Sequence, residues 1–185
     1  MKIDELLPSY DVRARYQILV YASLEATVEA FESVDFSALP LTRFLMGLRT
    51  LMRRKGSERG CGTQLERLRR AGFIELARLP RQEIVLGVVG RFWRIDSGII
   101  TGLTAEQILH FQQEGYAKAA WNFAFSSELD HVTRVSTETR IHCFGRVAKY
   151  KFRAYWLLVG PFSGIIRKEM LRMIKRKAES TPPWN

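Results

Sequence analysis

The run from Arg146 to Ala178 constrains the fold more than any other part of the chain. Apolar side chains recur at Ala148, Phe152, Tyr155, Val159, Ile166, Met170, Leu171 and Ile174. Steps of three and four residues place them on one stripe of a long helix. The other face carries Lys149, Arg153, Arg167, Arg172, Lys175 and Arg176. A helix of this length with a one-sided stripe needs a large apolar surface to rest on. Gly160-Pro161 interrupts it, and because proline removes a backbone hydrogen bond, a kink or break is predicted there. The longest charge-free stretch, Tyr155 to Ile166, is shorter than the roughly 20 residues that a membrane span needs.

Alternating segments earlier in the chain can supply the partner surface. In residues 12–21, Val12, Ala14, Tyr16, Ile18 and Val20 face one way while Arg13, Arg15 and Gln17 face the other, the mark of a half-buried strand. Ser23 is then a helix cap, with Leu24, Val28 and Phe31 at helical spacing and a stop near Val34. A second helix over 41–55 carries Leu41, Phe44, Leu45, Leu48, Leu51 and Met52. The glycine-rich KGSERGCGTQ segment that follows reads as a loop, and a short helical stretch over 64–70 comes next. Strands are predicted over 72–78 and 83–94, joined by a turn at Leu79-Pro80-Arg81-Gln82. Residues 95–102 suggest a further short strand with a turn, and Thr104 with Gln107 has capping-box spacing. Residues 115–126 place Ala117, Ala119, Trp121, Phe123 and Phe125 on one face. Residues 132–144 set Thr133, Val135, Thr137, Thr139, Ile141 and Cys143 against Arg134, Ser136, Glu138, Arg140 and His142. These two segments form an antiparallel hairpin. The connections are mostly too short for parallel crossovers, so the class is α+β with helices gathered on one face of an antiparallel sheet.

The length of 185 residues suits one domain with a sizeable core, and 46% hydrophobic with 26% charged residues is an ordinary globular composition. Net charge is +10, carried by the chain after residue 40, chiefly in Arg43–Arg70 and Arg167–Lys177. Such surfaces attract phosphates. Here the bases are spread along amphipathic segments and not gathered in a nucleic-acid motif, which disfavours nucleic acid as the partner. The start, MKIDELLPSY, has no signal-peptide core, and two distant cysteines, Cys61 and Cys143, suit free thiols. A cytoplasmic location is therefore expected.

Several local strings carry a resemblance. They are Phe73-Ile74-Glu75-Leu76, Val88-Val89-Gly90-Arg91-Phe92-Trp93, the run Gly115 to Phe123, Ser136-Thr137-Glu138-Thr139-Arg140, and Phe152-Arg153-Ala154-Tyr155-Trp156. With this order of elements the chain resembles the START-like, or SRPBCC, superfamily over about residues 10–178. That group includes polyketide cyclases and dehydrases and lipid-transfer domains. The resemblance implies a helix-grip fold: a first strand, two short helices, a curved antiparallel sheet of six to seven strands, and a long C-terminal helix across it. It also implies a cavity between sheet and helix. The inward faces would line that cavity with Tyr16, Ile18, Trp121, Phe123, Phe125, Thr137, Thr139, Phe152 and Trp156. Aromatic walls with a few hydroxyls suit a flat or lipid-like ligand, although the same residues could simply fill a dry core.

Other candidates point to chemistry less directly. Glu138 and Arg140, two apart on a strand, share a face. Buried inside, such a pair could act as acid or base; on the convex, wetted side it would form cross-strand ion pairs, and the more apolar opposite face favours the latter. His142 and Cys143 point to opposite faces and cannot form a nucleophile–base pair, while His110 and His131 stand alone. No spacing reads as a metal site, and no cofactor is implied. Ser163 does not sit in a nucleophile elbow, and Gly60-Cys61-Gly62 lacks the ending of a phosphate loop. Three functions follow in order: binding of an apolar small molecule or lipid, a polyketide cyclase or dehydratase activity, and docking of the basic helical surface on nucleic acid or anionic lipid.

Overall fold

The structure, a computed structural model, describes residues 1–36, 68–69, 72–94, 96 and 98–180. The predicted helix over 41–55, the loop over 55–64, Cys61 and most of the stretch over 64–70 lie outside the described residues. The elements are α1 (Lys2–Leu6), β1 (Val12–Val20), α2 (Leu24–Ser33), β2 (Ile74–Leu79), β3 (Glu83–Gly90), α3 (Ala105–Leu109), β4 (Ala117–Leu129), β5 (Val132–Cys143) and α4 (Arg146–Ser180). The fold is α+β, with one open antiparallel sheet in the order β1-β5-β4-β3-β2. Among the described residues the strands number five, not six to seven. β3 ends at Gly90, and the described residues of 91–102 form turns and irregular chain where a further strand was expected.

Local chemistry explains the elements. Ser23 caps α2 by accepting from the Ala26 N–H at 3.2 Å. At α3, Thr104 and Gln107 form a reciprocal capping box, as their spacing predicts. The β2–β3 connection has Pro80 followed by Arg81 at φ +58°, and the Gln82 N–H donates to Leu79 O at 3.0 Å. This is the pattern of a turn that would favour glycine where Arg81 sits.

Register puts the alternating residues into rows across the sheet. Ala14, Thr139, Trp121 and Leu86 form one row; Tyr16, Thr137, Phe123 and Ile84 form the next. Both face α4. The helix is pinned at each end. Lys149 pairs with Asp11, and at the far end Lys175 donates to Leu19 O at 2.8 Å while Glu179 accepts from the Tyr21 N–H at 2.8 Å. Helical structure runs unbroken through Pro161, so no break occurs at Gly160-Pro161. At Gly164 a Cβ would lie 2.5 Å from the Tyr16 hydroxyl, so the missing side chain is what lets α4 approach β1 this closely.

The opposite face of the sheet is covered by α1, which the sequence pattern did not reveal. Ile3 and Leu7 pack on Val85 and Ala120. Glu83 accepts from the Lys2 N–H at 2.6 Å, at the positive end of the helix, and Arg140 donates to Leu7 O at 3.1 Å, at the negative end. Two buried charges of the sheet thus hold a helix too short to form alone. Among the described residues no helix is long and apolar enough to cross a membrane.

Candidate functional site

Seven of the nine predicted lining residues lie on strands and face α4, Phe152 and Trp156 lie on α4 itself, and the structure divides the nine into three groups. Phe123 and Phe125 pack into a filled cluster with Phe31 and Phe36; Phe31 lies 4.8 Å from Phe123 and 5.3 Å from Phe125, centroid to centroid. Ile18 lies at the edge of that cluster and is only partly buried. Phe152 and Trp156 stack at 5.7 Å at the other end, against Val88, Ala119 and Ile141. Trp121 belongs to the first cluster, 5.0 Å from Phe123, Tyr16 packs on it, and Thr137 and Thr139 stand beside them on β5.

Thr137 is fully engaged. It accepts from the Trp121 indole N–H at 2.7 Å and donates to Asn122 O at 2.7 Å, which fixes the indole plane. Thr139 turns to the helix. Its hydroxyl oxygen accepts from Arg167 Nε at 3.1 Å and Nη2 at 2.6 Å. The same guanidinium donates through Nη1 to Ser163 O at 3.2 Å and to the Ser163 hydroxyl, and lies 5.6 Å from the Trp121 ring centroid.

The sequence pattern assigned Arg167 to the solvent-facing side of the last helix. The structure corrects this. Arg167 lies four residues after Ser163 and three before Met170, on the face that meets the sheet, and it fits above the row in which β1 contributes only Ala14. Part of the side chain still reaches solvent. Even so, burial pushes its guanidinium down to about 10, partly offset by the Tyr16 phenol, so it stays charged at neutral pH. No carboxylate pairs with it among the described residues. The Arg167 and Ser163 contributions were missed because a base among bases at helical spacing carries no signal of its facing; the helical phase of Ser163, Gly164 and Met170 was the available clue.

Glu138 and Arg140 lie on the outer face, as the alternation indicates, and Glu138 makes the expected cross-strand pair with Arg13. They are not wetted: both are buried beneath α1. Glu138 accepts from Arg13 Nε at 2.8 Å and from Arg140 Nε at 2.6 Å, and Arg140 also pairs with Asp4. Burial pushes the Glu138 carboxyl up, but the hydrogen bonds and charges of the two arginines outweigh it, so the group lies below its ordinary value. Asn122 bridges this cluster to Glu83, donating to it at 2.6 Å and accepting from the Glu138 N–H at 2.8 Å.

The outer face also bears clefts of about 490 Å³, near Leu7, Lys118, His142 and Phe144, and about 610 Å³, near Lys2, Arg15, Glu83 and Ser136. Lys118 is buried and its ammonium is pushed down by desolvation; it donates to Leu109 O at 2.7 Å. Cys143 is a free buried thiol, pushed up to about 12 by burial. Among the described residues no three His, Cys, Asp or Glu gather in a way that could hold a metal ion.

No family model and no curated protein matches the chain. Two solved structures are similar in outline. One, a conserved protein from Geobacillus kaustophilus, has 13% identity and a TM-score of 0.45, covering 92% of this chain and 97% of its own. The other, a protein from Thermus thermophilus, has 12% identity and a TM-score of 0.34, covering 92% and 99%.

Proposed function

We propose that this chain is a START-like domain with a helix-grip fold that takes an apolar small molecule or lipid between the sheet and α4. One observation carries the reading. The inner face is rich in aromatic rings, yet four of the rings packed on its two clusters, Tyr16, Phe73, Tyr155 and Trp156, are only partly buried. A protein with no use for that surface would be expected to bury rings of this size fully or replace them with smaller side chains. The test is to incubate purified full-length protein with fatty acids and with polycyclic aromatic compounds, then weigh the native complexes. Stoichiometric adducts support the reading; failure to retain any apolar compound refutes it. A cyclase or dehydratase would need converging acid and base groups, and Glu138 and Arg140, the best pair in the sequence, face away from this space.

A specific feature of α4 favours a second reading, docking on an anionic lipid surface. Its outward side exposes Tyr150, Leu157, Leu158, Phe162 and Ile165, with Leu157 80% and Leu158 74% exposed. Lys151, Arg153, Lys168 and Arg172 flank them. Large exposed apolar side chains rimmed by bases suit a lipid interface better than a phosphate backbone. Co-sedimentation with phosphatidylserine vesicles that weakens with salt, and is lost in Leu157→Glu with Leu158→Glu, supports it; equal pelleting of wild type and variant rejects it.

A further inference from the structure

The middle of the inner face contains a fixed cation with no counter-charge among the described residues. Four of the five Arg167 N–H donors go to two hydroxyls and a carbonyl, all neutral. Hydroxyls satisfy hydrogen bonds but leave the charge uncompensated. A guanidinium largely withdrawn from water in that state costs stability unless something anionic completes it. Its neighbours do not supply the missing charge. Trp121 offers a ring face, and Tyr16 a phenol that rests against Gly164. A second cation, Lys168, stands 5.7 Å from the Tyr16 ring centroid and makes no ion pair among the described residues.

The same groups form a receptor. Thr139 and Ser163 act only as acceptors towards Arg167, so each retains an O–H to donate. The Tyr16 hydroxyl has no hydrogen-bond partner among the described residues. One Nη2 hydrogen of Arg167 also remains without a partner among the described residues. Arg167, Thr139 and Ser163 are bonded together beside the Trp121 ring, with Tyr16 against the adjacent Gly164, and a carboxylate, with two oxygens and about four lone-pair sites, is the complement of these donors.

Resting on the proposal that an apolar molecule enters this space, we infer that the ligand is an apolar acid, its carboxylate received by Arg167, Tyr16, Thr139 and Ser163 and its hydrocarbon part laid along Trp121 and the flanking rings. This narrows the ligand class from any apolar compound to one with an anionic head. It also explains a charged residue that is costly in a plain core.

The test compares matched probes on the full-length protein by titration calorimetry: palmitate against hexadecanol, and 1-pyrenebutyrate against 1-pyrenebutanol. Each acid is expected to bind about tenfold or more tighter than its alcohol, the effect of a charge-assisted hydrogen-bonded pair. In Arg167→Met that preference should collapse to near parity while alcohol affinity holds, and the apo variant should be no less stable than wild type. Arg167→Lys, which keeps the charge without the fork, should retain part of the preference. Equal binding of acid and alcohol by wild type, a comparison that needs no variant, overturns the inference and leaves the apolar-binding reading standing. So does a preference that survives Arg167→Met. Failure of both acids and both alcohols to bind overturns both.

Discussion

Glu138→Gln should destabilise the protein without touching its inner face. The carboxylate is fully covered and serves Arg13 at 2.8 Å and Arg140 at 2.6 Å. The amide cannot compensate both cations, and Arg140 is itself buried. Removing one partner of a buried pair costs about 3–5 kcal/mol. Two features reduce that. The cover is a single five-residue helix, and Asp4, largely exposed, still pairs with Arg140. About 2–3 kcal/mol is therefore expected, a Tm drop of roughly 4–12 °C for a chain of this size. The loss must also depend on pH. Glu138 titrates below its ordinary value of 4.5 in the folded protein, so its contribution is complete above about that pH and fades as pH falls through the folded value. Urea melts followed by circular dichroism between pH 7 and pH 3 should show the gap between wild type and variant closing on the acid side. Replacing both charges, Glu138→Met with Arg140→Met, should recover most of the loss. A deficit under about 0.5 kcal/mol at pH 7, or one constant down to pH 3, would refute the account of the cluster as a paired, depressed carboxylate.

Three further outcomes follow from the packing. Phe123→Ala removes a ring wedged between Phe31, Phe36 and Trp121, and should cost about 3–5 kcal/mol in chemical denaturation. Cys143 should resist iodoacetamide in the folded protein at pH 8 and react only after unfolding, read by mass mapping of its peptide, because burial keeps the thiol protonated. Thr104→Ala should lose about 1 kcal/mol by breaking the capping box of α3, with Thr104→Ser close to wild type in the same melts.

The strands were legible in the sequence wherever one face was apolar and the other polar. Val12–Val20 alternates in burial because α4 covers one side of it, while Val132–Cys143 alternates in sequence although its middle is buried on both faces. Glu83–Gly90, apolar on both faces, is recognisable as a well-covered strand, but its second cover could not be named. That cover is α1, whose five residues are too few to show a period and whose stability comes from Glu83 and Arg140, distant in sequence. The stretch after Gly90 failed as a strand because its β-branched residues, Ile99 and Ile100, are preceded by Gly98 at positive φ, which turns the chain. The candidate site was legible as an aromatic face, since Trp121, Phe123 and Phe125 must share a side. Its polar centre was not read, because Arg167 stands among many bases on the helix and was assigned with them, although the phase of Ser163, Gly164 and Met170 places it towards the sheet.

The two faces of the sheet solve one physical problem in opposite ways. On the outer face the buried Glu138 and Arg140 are answered by opposite charges: Glu138 by Arg13 and Arg140, and Arg140 also by Asp4. The arrangement is closed, and its consequence is a folded N-terminus. On the inner face Arg167 is held as firmly, by four hydrogen bonds, yet no described residue answers its charge. A chain able to answer both Glu138 and Arg140 with opposite charges within one layer of strands had the means to place an acid beside Arg167. Hydroxyls stand there instead. Neutral acceptors orient the guanidinium without quenching it, which is the condition for recognising an anion that arrives from outside.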